Sequence, residues 1–158
     1  MTKLILDPCC GAKLFWFDKS NPAVEFCDIR TVPKHEYYPG RYIEISPDTM
    51  CDFTDLPFAD RAFKLVVLDP PHLKSAGKTS YMAEKYGRLD ENWPQMIGDG
   101  FAECWRVLDD YGTLIFKWSE VQIPLKDVLK AISREPLFGH RSGKRMGTHW
   151  LAFMKMEV

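Results

Sequence analysis

The sequence predicts an α/β fold organised around a mostly parallel sheet, and three observations carry that prediction. Phe63–Leu68 is an apolar, β-branched run stopped by Asp69-Pro70-Pro71, as expected for a buried strand. Trp93 to Leu108 places Met96, Ile97, Phe101, Cys104, Trp105 and Leu108 at spacings of mostly three and four, the period of a helix with one buried face. Near the end, Leu137–His140 and Thr148–Met154 flank Ser142-Gly143 and read as an antiparallel pair with a basic connection. Strands that alternate with helices and finish in a hairpin pack as helices on a mostly parallel sheet.

The other elements follow in order. Lys3–Leu6 reads as a short buried strand cut off by Pro8. Residues 12–19 are expected to open a helix, although Phe15-Trp16-Phe17 is an unusual aromatic run. Val24–Cys27 is a second strand ending at Asp28, and Tyr42–Ile45 a weaker third closed by Pro47. Residues 73–92 turn polar and glycine-bearing and read as a loop. Asp109-Asp110-Tyr111-Gly112 forms the turn after the long helix, and Thr113–Lys117 is a further buried strand. Pro124 suits a first helical turn, and Leu125, Val128, Leu129 and Ile132 then share one face.

Composition limits the function classes. The 158 residues form one domain by length, with no internal repeat or second domain. Ten Phe, six Tyr and five Trp supply enough apolar area to exclude disorder as the main state. No apolar run approaches the roughly 18 residues of a membrane span. The five cysteines are odd in number and contain no C-x-x-C pair, so a reducing cytoplasm is the expected setting. The four histidines are scattered, and no metal site is indicated. The net charge of −1 is uneven: residues 126–158 carry +4 and the rest −5. A basic tail on an acidic body can face a polyanion or merely be solvated.

In open α/β sheets, ligands bind beyond the carboxyl ends of the strands. The residues following the expected strands are Asp7-Pro8-Cys9-Cys10-Gly11, Asp28, Cys51-Asp52-Phe53, Asp69-Pro70-Pro71-His72, and Lys117-Trp118. Four of the five sets hold a carboxylate, the group that grips ribose hydroxyls or an ammonium. Asp28 follows Asp7 by 21 positions, near the offset at which an acid meets a ribose in nucleotide-binding βαβ units. The turn at Gly11 lacks the G-x-G-x-x-G of dinucleotide sites, so a nucleoside without phosphates fits better than a dinucleotide. In Asp69-Pro70-Pro71-His72 the prolines end the strand rigidly and leave carbonyls unclaimed. An acid, a fixed acceptor carbonyl and a flat ring side by side suit a planar group bearing an NH₂; a plain strand-ending turn is the competing reading.

On these residues the chain resembles the class I S-adenosylmethionine-dependent methyltransferases that methylate exocyclic amines of nucleobases, of the adenine-N6 and cytosine-N4 type. Their D-P-P-Y/F/W/H motif is matched by Asp69-Pro-Pro-His72, and their opening cofactor turn by Asp7-Pro8-Cys9-Cys10-Gly11-Ala12-Lys13. Asp28 falls at the ribose-binding acid, and Asp52-Phe53 at the adenine contact. The resemblance implies a Rossmann-like three-layer α/β/α sandwich with a seven-stranded, mostly parallel sheet, and S-adenosylmethionine as cofactor. It implies that Asp69 and the Pro70 carbonyl accept hydrogen bonds from the target amine while His72 stacks on its ring. Adenine N6 in DNA is the first substrate expected, with DNA favoured over RNA.

A base must be flipped or single-stranded to reach such a site. Lys74, Lys78, Lys85 and Arg88, with Arg141, Lys144 and Arg145, are candidates to hold phosphates, and Lys117 belongs to the same substrate side. Tyr81, Tyr86 and Trp118 are candidate stacking rings, whereas Phe15, Trp16, Phe17, Trp93, Trp105 and Trp150 are expected to pack. Two departures stand out: Lys13 occupies the place of the family's second glycine, and there is no inserted target-recognition domain. The alternatives are an RNA or small-molecule amine substrate on the same fold, or a non-catalytic subunit that binds cofactor or nucleic acid and supports a partner that selects the target.

Overall fold

The computed structural model describes residues 1–74, 88–143 and 147–156. Its strands are β1 (Ile5–Asp7), β2 (Val24–Asp28), β3 (Val32–Tyr38), β4 (Arg41–Ile45), β5 (Thr49–Met50), β6 (Phe63–Leu68), β7 (Leu108–Ser119), β8 (Phe138–Ser142) and β9 (Thr148–Met154). Its helices are α1 (Trp93–Val107) and α2 (Leu125–Ile132). Seven strands form one sheet in the order β5-β2-β1-β6-β7-β9-β8, and β3 and β4 pair separately as a two-stranded ribbon. Pairing is parallel from β5 through β7 and antiparallel between β7 and β9 and between β9 and β8. The chain leaves β1 toward β2 and β5 and then returns to β6 on the other side of β1. That reversal opens a crevice at the carboxyl ends of β1 and β6.

Alternating side chains sort the core onto two faces. Leu6, Cys27, Val66, Leu114 and Phe116 join Ile97, Phe101 and Cys104 of α1 and Val128 and Ile132 of α2 in one large cluster. The two helices pack against each other over this face. Val24 and Phe26 of β2 point the other way, into a small cluster with Cys10, Ile5 and Trp16. Among the described residues no helix covers that second face; the β1–β2 connection and the β3–β4 ribbon lie over it instead.

The seven-stranded, mostly parallel Rossmann-like sheet is therefore as expected; of the expected α/β/α layers, the described helices supply the one on a single face, and the other differences are local. Residues 12–19 form successive turns rather than a helix. Gly11 and Lys13 take positive φ angles of 48° and 54°, outside the helical region, which breaks any helix at its start. The segment Tyr42–Ile45 lies in β4, outside the main sheet, and the sheet's edge beyond β2 is the two-residue β5, too short to read from the sequence. The stretch 109–112, expected as a turn, is absorbed into β7, with Tyr111 alone at φ 60°. The loop expected over 73–92 is pinned at its described ends: Leu73 and Leu89 are buried, and the Leu89 N–H donates to the Leu73 carbonyl at 2.9 Å. Val107 to Leu108 passes directly from α1 into β7.

One glycine is demanded by close approach. A Cβ at Gly100, in the middle of α1, would lie 1.9 Å from the Phe53 ring. Alanine would gain about 0.5–1 kcal/mol in helix propensity, but overpacking costs about 1–3 kcal/mol, so the clash wins. Gly100→Ala is expected to lower stability by about 1 kcal/mol or more in urea denaturation, and adding Phe53→Leu should recover most of the loss.

Candidate functional site

A cleft of ≈ 390 Å³ opens over the carboxyl ends of β1, β2, β5, β6 and β7. Its wall includes Pro8, Cys9, Cys10 and Gly11 after β1, Asp28 and Arg30 at β2, and Cys51, Asp52 and Phe53 after β5. Asp69, Pro70 and Pro71 follow β6, and Lys117 stands on β7. Ala12, Leu14, Phe15, Ile29, Arg88 and Met96 complete its lining.

Asp7 ends β1 beneath this cleft and is fully buried. Its Oδ2 accepts from the Trp16 indole Nε1–H at 2.7 Å and its Oδ1 from the Cys9 N–H at 3.2 Å. Burial pushes its carboxyl up to about 7 against those two hydrogen bonds, and the charges of Asp69 and Asp28 push the same way as burial. Asp7 thus anchors the following turn from below. The turn is tied to β2 by the Cys10 N–H donating to the Cys27 carbonyl at 2.7 Å and the Gly11 N–H donating to Asp28 Oδ2 at 2.9 Å. Lys13 adopts a left-handed backbone at the position where the resemblance places glycine, so the turn keeps a positive φ there despite the side chain.

Asp28 is 4% exposed, and its Oδ1 accepts from both the N–H and the Nε–H of Arg30, at 3.0 and 3.1 Å. Asp52 Oδ1 closes a local turn with the N–H and hydroxyl of Thr54, at 2.9 and 2.7 Å. Phe53 is buried, its ring against α1. Asp69 Oδ2 accepts from Lys117 Nζ at 2.9 Å. Burial raises the Asp69 carboxyl, and the Lys117 cation acts against that rise. Lys117 Nζ also lies 5.4 Å from the centroid of Phe15 and 5.6 Å from that of Trp150, and those two rings meet edge to face at 5.5 Å. Burial raises the thiols of Cys9 and Cys10, which keeps them protonated and poor nucleophiles.

The sequence-derived set divides accordingly. Pro8, Cys9, Cys10, Gly11, Asp28, Asp52, Phe53, Asp69, Pro70, Pro71, Lys117 and, of the candidate phosphate-holding cations, Arg88 line one cleft, with Asp7 directly under it. His72 does not line it. The imidazole is 8% exposed and sits edge-on to Trp118, with ring centroids 6.3 Å apart. Burial lowers its pKa to about 4, with the Lys117 charge acting in the same direction. A stacking role for His72 on a ring in the cleft is therefore replaced by a packing role. Trp118, expected as a stacking ring, is fully buried, stacks on Phe116 and donates its indole N–H to the Ile123 carbonyl at 3.0 Å. From Gly112 onward β7 alternates buried and half-buried residues, so Lys117 and Trp118 face opposite sides of the sheet.

Lys74 and Arg141 also lie outside the cleft. The Lys74 N–H donates to Gln122 Oε1, and Arg141 extends from β8 to within 3.6 Å of Glu120 Oε1. Lys78, with Lys85, Lys144, Arg145, Tyr81 and Tyr86, falls outside the described residues. Phe15 was expected to pack and instead lines the cleft, while Phe17 is fully exposed. Arg30 and Met96 were missed. Arg30 had a detectable signal, a cation two residues past a strand-end acid; Met96 had none, since it looks like any apolar residue on a helix.

No protein-family model matches the chain, and a comparison with curated proteins finds no match. Solved structures do match in fold. The PH0226 protein from Pyrococcus horikoshii OT3 superposes with a TM-score of 0.58 at 15% identity, over 97% of this chain and 81% of that one. A TehB-like SAM-dependent methyltransferase from Corynebacterium glutamicum gives 0.53 at 15% identity, over 96% and 79%. A 1,6-didemethyltoxoflavin-N1-methyltransferase from Burkholderia thailandensis, solved with 1,6-didemethyltoxoflavin and S-adenosylhomocysteine, gives 0.53 at 12% identity, over 97% and 71%. At these identities the likeness establishes the Rossmann-like fold. Among the described residues no helix is long and apolar enough to cross a membrane.

The raised Asp7 carboxyl has a consequence for stability. Folded Asp7 binds its proton up to about pH 7, whereas in the unfolded chain it ionises near 3.8. Between those values the native state holds more protons, so the Asp7 contribution to stability falls as pH rises through the window. Asp7→Asn is expected to remove that slope: relative to wild type, the variant should gain stability steadily from pH 4 to pH 7 in urea midpoints. An unchanged difference across the window would contradict it. His72, neutral when folded, acts oppositely in wild type and variant alike and cancels from the comparison.

Proposed function

We propose that the chain is an S-adenosylmethionine-dependent methyltransferase that acts on the exocyclic amine of a nucleobase, with adenine N6 in DNA as the first substrate. The observation that carries this reading is the convergence of Asp28, Asp52 and Asp69-Pro70-Pro71 on one cleft, above the buried Asp7. Its volume lies within the roughly 300–1,000 Å³ of small-molecule sites. The residues fit the cofactor. Asp28 accepts three protein N–H bonds on its two oxygens, and a carboxylate has about four acceptor sites, so a ribose hydroxyl can still be received. Phe53, Met96 and Pro8 give apolar wall, and the carboxylates of Asp28 and Asp69 suit a positively charged sulfur. When bound, the cofactor supplies an electrophilic methyl group on that sulfur.

The protein supplies placement and electrostatics. An aromatic amine is a weak nucleophile because its lone pair is delocalised into the ring. Among the described residues Lys117 takes Asp69 Oδ2, which leaves Oδ1 to accept from the amine. The Pro70 carbonyl, held by the rigid Pro70-Pro71 pair, would accept the second N–H. Two acceptors favour a pyramidal nitrogen whose lone pair points away from the ring. Holding that geometry needs no covalent enzyme intermediate. Phe15, beside Lys117 at the rim, takes over the position of a ring to stack on. A second reading, a small heteroaromatic amine, is favoured by one observation: of the described cations expected to grip phosphates, Lys74 and Arg141 stand away from the cleft and Arg88 alone lines it.

Calorimetry with S-adenosylmethionine and S-adenosylhomocysteine tests the cofactor, and tritiated methyl incorporation into DNA, RNA oligonucleotides and free nucleosides tests the substrate. Asp69→Ala is expected to reduce transfer by about 10²–10³-fold or more while cofactor binding is retained. Failure of wild-type protein to bind either ligand would overturn the reading. Lys117→Met should raise the Asp69 carboxyl further by removing the cation that opposes its rise, so the acidic limb of kcat/KM should move to higher pH. An unmoved limb would remove Asp69 as the acceptor.

A further inference from the structure

A second cleft, of ≈ 610 Å³, lies on the sheet face that no described helix covers, between the β1–β2 connection and the β3–β4 ribbon. It shares Gly11, Ala12 and Leu14 with the first cleft, so the two meet across one turn. Lys3, Lys13, Lys19 and Lys34 line it, against Glu44 and Asp48. Lys3 is spent on Glu25 and Asp48, at 2.7 and 2.8 Å, which cancels Asp48 and leaves three lysines facing one acid. This concentration of positive charge stands on the part of the chain, residues 1–125, that carries a net −5.

Aromatic rings are interleaved with these cations. Lys13 Nζ is 4.1 Å from the centroid of the Phe26 ring in the floor, and Lys34 Nζ is 5.6 Å from that of Tyr42 on the ribbon. Beyond the cleft, at the ribbon's turn, Arg41 covers Tyr38 at 5.6 Å. Tyr42 and Tyr38 are 60% and 62% exposed. Both rings stand open on a ribbon that is itself outside the main sheet. Ammonium groups hold phosphates as point charges, and exposed rings stack unpaired bases whatever their identity. A duplex offers no unpaired faces to such rings, and an acidic peptide would use the lysines but not the rings.

We infer that the second cleft and the outer face of the β3–β4 ribbon bind single-stranded nucleic acid, and that the strand reaches the first cleft across the Gly11–Leu14 turn. The inference deepens the nucleobase reading above and rests on it for the identity of the strand's target base. It also accounts for the position of Lys74 and Arg141 outside the first cleft: the phosphates are held on the opposite flank.

The test is fluorescence anisotropy of a labelled 16-nucleotide DNA, and an RNA of the same sequence, over a range of salt concentrations. The full chain is compared with the double variant Lys34→Ala/Tyr42→Ala, both positions being exposed and outside the catalytic cleft. The wild-type chain is expected to bind, with log affinity falling linearly in log salt. The double variant should lose about ten-fold or more, and its salt slope should drop by about 0.7 for the phosphate contact removed. Tyr42→Phe alone should retain the affinity, since it keeps the ring. No oligonucleotide binding by wild type, or equal binding by the double variant, overturns the inference. Methyl transfer to a free nucleoside, measured in parallel, separates the two readings. Oligonucleotide binding through the ribbon with no base methylated sinks the substrate and leaves the surface. Base methylation with the double variant's oligonucleotide binding undiminished sinks the surface and leaves the substrate.

Discussion

The buried carboxylate of Asp7 is the constraint on which the site depends. In the usual βαβ unit a helix after the first strand fixes the turn, because its amides are paired internally and its apolar stripe packs on the sheet. Here the β1–β2 connection has no helix, and its backbone must be held from outside. Asp7 does this by receiving the Trp16 indole N–H on one oxygen and the Cys9 N–H on the other. Trp16 in turn packs edge-on against Phe26, with centroids 5.2 Å apart. One polar group with two donors thus links a strand tip, a turn and the small apolar cluster. A buried acid is costly unless it is hydrogen-bonded or neutral, and the raised carboxyl records that cost.

The same shortage of water shapes the cleft's charges. Three acids at neighbouring strand tips would repel one another in a low-dielectric site if they were left alone. Lys117 offsets Asp69 and Arg30 offsets Asp28, each at hydrogen-bond distance. Lys117 is further held between Phe15 and Trp150, so its ammonium has little freedom to move away. The neighbouring His72 cannot share the task, because burial keeps it neutral. The cleft lining sets three acids, Asp28, Asp52 and Asp69, against three cations, Arg30, Arg88 and Lys117, and is balanced in formal charge.

Among the described residues a loop and a ribbon stand on one sheet face where helices stand on the other, which leaves the two faces unequal. The helical face encloses nearly all the large buried side chains, including Trp118, Phe101 and Phe116. The other holds a small apolar cluster and a second, polar cleft. A face so thinly covered contributes less hydrophobic stabilisation, and its lysines and exposed tyrosines are free of core-packing demands.

Much of this was determined locally. Strands such as Phe63–Leu68, the helix from Trp93 and the closing pair are fixed by apolar period and by Pro, Gly and Asp stops, which act over a few residues. The acids at the strand tips were legible for the same reason: in a parallel sheet every strand ends on one side, so order along the chain implies a shared cleft. Tertiary structure alone decided the rest. Whether His72 faces the cleft or Trp118, and whether Phe15 or Trp118 borders the ligand space, depends on the side of the sheet each residue meets and on what packs there. The turns at 12–19 were hidden because an aromatic run carries helix-like hydrophobicity, while the positive φ of Lys13 sits in a turn that its N–H closes on the Cys10 carbonyl and that Cys10 and Gly11 tie to β2. The partner of Asp69 lies 48 residues away on β7, and no local pattern specifies a contact made only when two strands are laid side by side.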